Sequence, residues 1–214
     1  MVKEAFNKLS DDKKKTIIKC GIAEFSKKSY SEASTDEITK NSGISKGILF
    51  HYFGSKKDFY CFCLEQALEK LNAEPTHEPG ANDFYEIIFS FMEEKISLCR
   101  EFPEEMQFVN MAARESNSQV LEHKNAVLVK FMIKAKEKSA QVMKRAVTAL
   151  NLKNTNTEKI IDAFNLYTGA IINKYLEMYK EKPDMFFQKT DEIKDEIKEY
   201  LDYLLYGVVK GDRK

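Results

Sequence analysis

Tryptophan is absent from this chain, histidine occurs three times, and cysteine and proline four times each. Each scarcity excludes something. Cys20, Cys61, Cys63 and Cys99 show no zinc-ligand spacing, and Cys61-Phe62-Cys63 is not a CxxC pair. Reduced thiols, packed as small apolar groups, are expected. His51, His77 and His123 are scattered and form no metal pattern. No GxSxG, Walker or dinucleotide fingerprint is present. Paired acids such as Glu104-Glu105 read as a solvated helix face. The expectation is a protein that is not an enzyme and needs no cofactor or metal. No apolar run approaches the roughly 18–20 residues of a membrane helix, and the first residues are too polar for a secretory signal. A cytoplasmic protein without a membrane partner is expected.

Charge of neither sign prevails overall, with 34 Lys+Arg against 34 Asp+Glu. The balance conceals an asymmetry. Residues 1–60 hold 12 Lys and no Arg against 8 acids, and the remainder holds 22 basic residues against 26 acids. A basic head on an acidic body suits a phosphate-binding module joined to something else. A chain of 214 residues is long enough to bury a substantial core in one or two domains.

What is present is helical periodicity nearly throughout, with no sustained period-two alternation. The spacing predicts a helix over 11–28 with Ile17, Gly21, Ile22 and Phe25 inward. A further helix over 55–72 is followed by a breaker-rich run, 73–82, that contains Pro75, Pro79 and Gly80. The body then reads as helices over 83–100, 103–114 with Pro103 at the first helical position, 118–150, 157–180 and 183–209.

The most informative stretch is Ser34 to Lys57. Ser34 followed by Glu37 is a capping box that starts a helix. Gly43 stops it, because glycine takes the left-handed backbone conformation at little cost. Ile44 re-enters the core, and Ser45 caps a second helix reaching Phe53. Two helices joined by so short a turn are a helix-turn-helix. The N-terminal end of its second helix, where base edges are read, presents Lys46, Gly47 and Ile48. A lysine donates to guanine O6 or N7, a glycine admits close backbone approach, and an isoleucine meets a thymine methyl. Ser34, Thr35, Tyr52 and Lys56 are placed for phosphates, which position a protein without reading sequence.

These residues resemble the N-terminal domain of the TetR family of one-component transcriptional regulators. The resemblance rests on Ile17, Ile18, Cys20, Gly21, Ile22 and Phe25 in the first helix, on Tyr30 and Ile38, and on the run from Gly43 to Lys56 with its F-x-S-K exit. It covers about the first quarter of the chain. Phe50 stands where many members have Tyr, and Ile48 where Thr or Ser is frequent. Thr39, Asn41 and Ser42 are more polar than the alanines often found there. The resemblance implies an all-α protein: a helix-turn-helix domain over 1–54 and a helical effector-binding and dimerisation domain over 55–214, bridged by the helix from 55 to 72.

The resemblance further implies a homodimer on a palindromic double-stranded DNA operator, released by a small, largely apolar effector that binds the body. A repressor is expected. An activator or ligand-independent regulator is the alternative, and a helical enzyme or protein-binding adaptor is the reading from another class. The body is rich in Phe, Tyr and Met, side chains that line adaptable cavities as well as cores. Candidate apolar pocket residues are Phe89, Met92, Met106, Phe108, Met111, Phe131 and Phe164. Candidate polar ones are Gln107, Asn110, Arg114, His123, Asn165 and Tyr167. The last two helices carry apolar residues on more than one face, which implies a second partner. Ile172, Tyr175, Tyr179, Ile197, Leu201 and Leu204 are the candidate dimer contacts, and Gly169 and Ala170 would let another helix approach.

Overall fold

Helices dominate because the chain supplies starts and stops at the right places. The computed structural model describes residues 4–73, 83–150, 152, 156–179 and 182–207. Among these, the regular elements are all helices: α1 (Glu4–Asn7), α2 (Asp11–Phe25), α3 (Thr35–Ser42), α4 (Lys46–Phe53), α5 (Lys56–Leu71), α6 (Phe84–Glu101), α7 (Pro103–Arg114), α8 (Leu121–Thr148), α9 (Thr157–Met178), α10 (Pro183–Gln188) and α11 (Thr190–Tyr206). Serines 34, 45 and 55 cap α3, α4 and α5, each side chain accepting the N–H three residues on, from Glu37, Ile48 and Asp58. Each cap satisfies a donor that the helix itself leaves unpaired.

The chain divides into two compact units. The first comprises Met1–Thr76 and Ser97–Ala135, the second His77–Ile96 and Lys136–Lys214. In the first, α2 packs on α3, α5 and α7, and α5 packs on α7. Its core holds Ile17, Ile22, Phe25, Ile38, Leu49, Phe53, Phe59, Tyr60 and Phe108, all buried. In the second, α9 packs on α11 around Phe84, Ile87, Ile88, Phe164, Ile193, Ile197 and Leu201.

The structure differs from the sequence expectations in four places. Phe6 lies on a short helix, α1, which periodicity did not announce. Its ring packs 4.9 Å from Phe53 and 5.6 Å from Phe62, centroid to centroid. Four residues are too few to show a helical period. The first long helix ends at Phe25, not 28, because its last turn tightens through Lys27 N–H to Glu24 O. The expected helix over 183–209 is two helices. They part at Lys189 (φ −98°, ψ 19°), beside which Thr190 Oγ1 donates to Phe187 O, a local side-chain bond that competes with helix geometry. The capping box at Ser34 is half made, because the Ser34 N–H goes to Glu24 Oε1 at 2.8 Å rather than to Glu37. The breaker-rich run lies outside the described residues, except Ala73.

Gly21 lets α2 lie close against α5. A Cβ there would stand 2.6 Å from Cys63 Sγ and 2.7 Å from Phe59 Cζ, and both of those side chains are fully buried. Gly21→Ala is expected to destabilise the fold by about 1–3 kcal/mol through overpacking. Thermal unfolding followed by circular dichroism measures it, and an unchanged midpoint would mean that this contact relaxes freely.

Candidate nucleic-acid interface

The turn between α3 and α4 is built by Gly43, whose φ of +64° is the left-handed conformation, with Gly43 N–H donating to Lys40 O and Ile44 N–H to Thr39 O. Lys13 reaches across from α2 and donates to Ser42 O at 3.0 Å. A cation there both pairs an orphan carbonyl and complements the negative helix end. Leu49 and Phe53 are buried and anchor α4 to the core. At 100° per residue, the opposite face of α4 is centred on Gly47 and His51, which are both exposed. A Cβ on Gly47 would meet only Ser45 Oγ, at 3.8 Å, so the backbone there is open to close approach. Ile48 flanks this face at 41% exposure.

Lys46 is exposed, and its ammonium pairs with Asp36 Oδ2 of α3 at 3.0 Å. An exposed pair of this kind is worth little, about 0–1 kcal/mol, and releases readily to a better partner. Ser34 uses its hydroxyl as the α3 cap. The side chain of Thr35 is buried, so what Thr35 offers an anion is its first-turn N–H. Asp36 and Glu37 occupy that same first turn, and their charge opposes a phosphate there. Tyr52 is half-buried against Phe6, with ring centroids 5.7 Å apart. Lys56 lies over the Tyr30 ring, 4.8 Å from its centroid, and donates to Ser31 O at 3.4 Å. Burial holds the Lys56 ammonium below its ordinary pKa. His51, which sequence reasoning passed over, belongs to the exposed face. Its i, i+4 spacing from Gly47 was the signal.

The other sequence candidates are distributed between the two units. Phe108 and Phe131 are buried in the core of the first, where the Phe108 ring stacks on Phe25 at 5.5 Å. Met106 and Met111 are half-buried, while Gln107, Asn110, Arg114 and His123 are exposed. In the second unit Phe164 is buried, and Phe89 and Met92 pack partly buried against its core. Asn165 is half-buried and Tyr167 exposed. Ile197 and Leu201 are fully buried within the chain and Tyr175 nearly so, which removes them from an outward-facing role. Ile172 and Tyr179 are half-buried, and Leu204 is exposed. No group of three or more His, Cys, Asp or Glu placed to hold a metal occurs among the described residues. No described helix is long and apolar enough to cross a membrane.

The thiols carry no sign of activation. Burial pushes Cys61 up to about 11 and Cys63 well above its ordinary value, which keeps both protonated. The carboxylates behave differently. Burial raises Glu24, but the hydrogen bonds from Lys28 and the Ser34 N–H outweigh it and leave Glu24 below 4.5. Glu115 is likewise raised by burial and lowered further by the N–H groups of Tyr30, Asn117 and Ser116. Both contribute stability that is fully present above the ordinary carboxylate value and lost as pH falls through the depressed one. Unfolding in urea should therefore become easier as pH drops below about 4.5. Glu24→Gln should flatten that decline, and an equally steep decline in the variant would contradict the assignment.

Comparison with known proteins agrees with this geometry. Residues 17–60 match the family model described as bacterial regulatory proteins, tetR family. Over 44 residues, 21% of this chain, the sequence is 39% identical to the transcriptional regulator AcuR of Cereibacter sphaeroides. The match spans only 20% of that relative. The crystal structure of a TetR family transcriptional regulator from Chloroflexus aurantiacus J-10-FL superposes with a TM-score of 0.56 at 19% identity, over 97% of this chain and 98% of that one. The last likeness is one of fold.

Proposed function

We propose that this chain, a member of the TetR family by its helix-turn-helix head, is a homodimeric DNA-binding transcriptional regulator, a repressor released from a palindromic operator by a small apolar effector. The head is 1–54 and the effector-binding and dimerisation body 55–214, although α5 and α7 of that body pack in one compact unit with the head. The observation that carries the reading is α4, a capped helix anchored by Leu49 and Phe53 that leaves Lys46, Gly47, Ile48 and His51 uncovered. A helix so held enters a major groove, and two-fold symmetry places a second copy in the next one.

Lys46→Ala and His51→Ala should each alter which base pairs are preferred, because their side chains face base edges. Lys56→Ala should weaken all duplexes alike and reduce the salt slope by about 0.9 for each phosphate that the lysine neutralises. Selection from a random duplex pool, followed by anisotropy titrations in a salt series, measures both. Parent-like preference and affinity in all three variants would remove α4 from the interface.

An outward aromatic and aliphatic surface on α9 and α11 supports the dimer. Leu166 is 71% exposed, with Gly169 and Ala170 beside it. A Cβ at Gly169 would meet nothing within 4 Å. Tyr167 and Tyr200 approach to 6.2 Å and Tyr200 and Tyr203 to 6.3 Å, which joins the two helices into one strip. Exposed apolar surface of this extent marks an association site. Leu166→Glu and Leu204→Glu should give folded monomers, whereas Leu201→Glu should unfold, since Leu201 is internal and an unpaired charge there is costly. Sedimentation velocity with circular dichroism separates these outcomes, and a dimer that survives both outward substitutions would place the interface elsewhere.

The effector reading is supported by the second unit. On α6 and α9, the helices that carry Phe89, Met92 and Phe164, two oxygens among the described residues are buried without a hydrogen-bond partner: Glu94 Oε1 and Thr168 Oγ1. Buried polar atoms left unpaired are costly, and a ligand that hydrogen-bonds to these two oxygens would relieve that cost. A ligand seated there should raise the melting temperature, because it binds only the folded protein. It should also weaken operator binding by about 1–3 kcal/mol. Differential scanning fluorimetry against a library of small apolar hydrogen-bond donors tests this. Thr168→Val should abolish any shift a hit produces, and an unaltered shift would move the ligand away from Thr168.

A further inference from the structure

Glu115 follows the last residue of α7, and its two oxygens do different things. Oε1 accepts the Asn117 N–H at 2.9 Å, closing the loop in which Glu115 sits. Oε2 accepts the Tyr30 N–H at 2.6 Å, from a residue 85 positions earlier in the chain. The local loop needs only the first bond. The second reaches the turn between α2 and α3, directly ahead of the helix-turn-helix.

That turn supports Lys56 twice. The Tyr30 ring lies under its ammonium at 4.8 Å, and Ser31 O accepts from it at 3.4 Å. Tyr30 is itself buried, its ring edge-to-face with Tyr60 at 5.3 Å. Behind Glu115, Lys124 of α8 is only 3% exposed, and its ammonium donates to Ala112 O at 2.8 Å and Ala113 O at 3.3 Å. The last carbonyls of α7 are thereby fixed, and with them the point from which Glu115 extends. An unbroken series of interactions runs from α8 through the end of α7 to Glu115, the 29–33 turn and Lys56, all within one compact unit.

We propose that Glu115 is a positioning residue for DNA binding: its carboxylate holds the turn that in turn holds the Lys56 ammonium ready for a backbone phosphate. The inference rests on the reading of the head as a DNA-binding module. A lysine side chain loses rotamer freedom when it is fixed on a ligand, and a site that fixes it beforehand removes that cost from binding. Glu115 touches no DNA in this arrangement. Its effect is transmitted by the backbone of one turn, so any displacement of the α7–α8 corner displaces a phosphate-binding group of the head.

The test uses the full-length protein and the duplex that it enriches from a random-sequence pool, with affinities measured across a salt series. Lys56→Ala and Glu115→Ala should each lower the slope of log K against log salt by about 0.9 for each phosphate left without its cation. The double variant should fall no further than Lys56→Ala alone. Glu115→Gln keeps one carbonyl acceptor for the two N–H groups of Tyr30 and Asn117 and sets its NH2 against the other, so its slope should lie between those of the parent and Glu115→Ala. Glu115→Asp keeps the charge but is one methylene too short, and should show the lowered slope. If Glu115→Ala does not fold, the Gln and Asp variants decide the matter. A parent slope in the Ala or Asp variant, or a fully additive decrease in the double variant, overturns the inference and leaves Glu115 as a loop cap. A parent slope in Lys56→Ala overturns it as well while the head still binds DNA. If no duplex is enriched at all, the DNA-binding reading fails and this inference falls with it.

Discussion

The first unit depends on a three-ring contact between Phe25, Tyr60 and Phe108. The rings come from α2, α5 and α7, lie 4.8 to 5.5 Å apart by centroid, and are almost wholly buried. Two of the three pairs meet edge-to-face, the arrangement that the ring quadrupole favours. Such pairs are worth about 0.5–1.5 kcal/mol each beyond the area they bury. The larger consequence is geometric. A rigid triangle at the junction of three helices fixes the frame on which α3 and α4 are hung, and Gly21 allows α2 and α5 to close to the distance that the triangle requires.

Around that frame the polar groups act as locators more than as sources of stability. Lys13 fixes the end of α3, Glu24 its start, Glu115 the turn before it, and Lys124 the end of α7. Each joins a charged side chain to a backbone group of another element. Charge-assisted bonds of this kind are shorter and stronger than neutral ones and set register. The exposed ion pairs, Lys46 with Asp36 and Lys130 with Glu65, do less for the fold because water screens them. The first of these leaves the Lys46 ammonium, at the start of α4, loosely held.

The second unit follows a different logic. Its core is apolar and closed along α9 and α11 by Ile193, Ile197 and Leu201, yet the same helices keep a second apolar surface outside. One helix face cannot satisfy two partners, and the two faces are separated by the helical period: Leu201 turns inward while Leu204 does not. A sequence pattern that is apolar on several faces says that more than one face is apolar but not which residue turns into the core.

The sequence by itself determined the helices of the head and their order. The signals there are local: Ser34, Ser45 and Ser55 as caps, Gly43 as the stop, and a 3.6-residue stripe through Ile17, Ile22 and Phe25. Local chemistry of that kind is legible because neighbours in sequence are neighbours in space. Base-facing candidates were legible for the same reason, although His51 was missed until Leu49 and Phe53 showed which side of α4 is buried. Tertiary structure alone decided the assignments that depend on residues far apart in the chain. Phe108 and Phe131 read as pocket lining and lie buried in the core of the first unit. Leu201 and Ile197 read as interface and turned out to be core. The partner of the Ser34 N–H proved to be Glu24 rather than Glu37, and the partner of Tyr30 proved to be Glu115. Periodicity tells that a side chain leaves the water, but not which of several apolar neighbours receives it, because that choice is made by packing among elements whose separation along the chain carries no record of their distance in space.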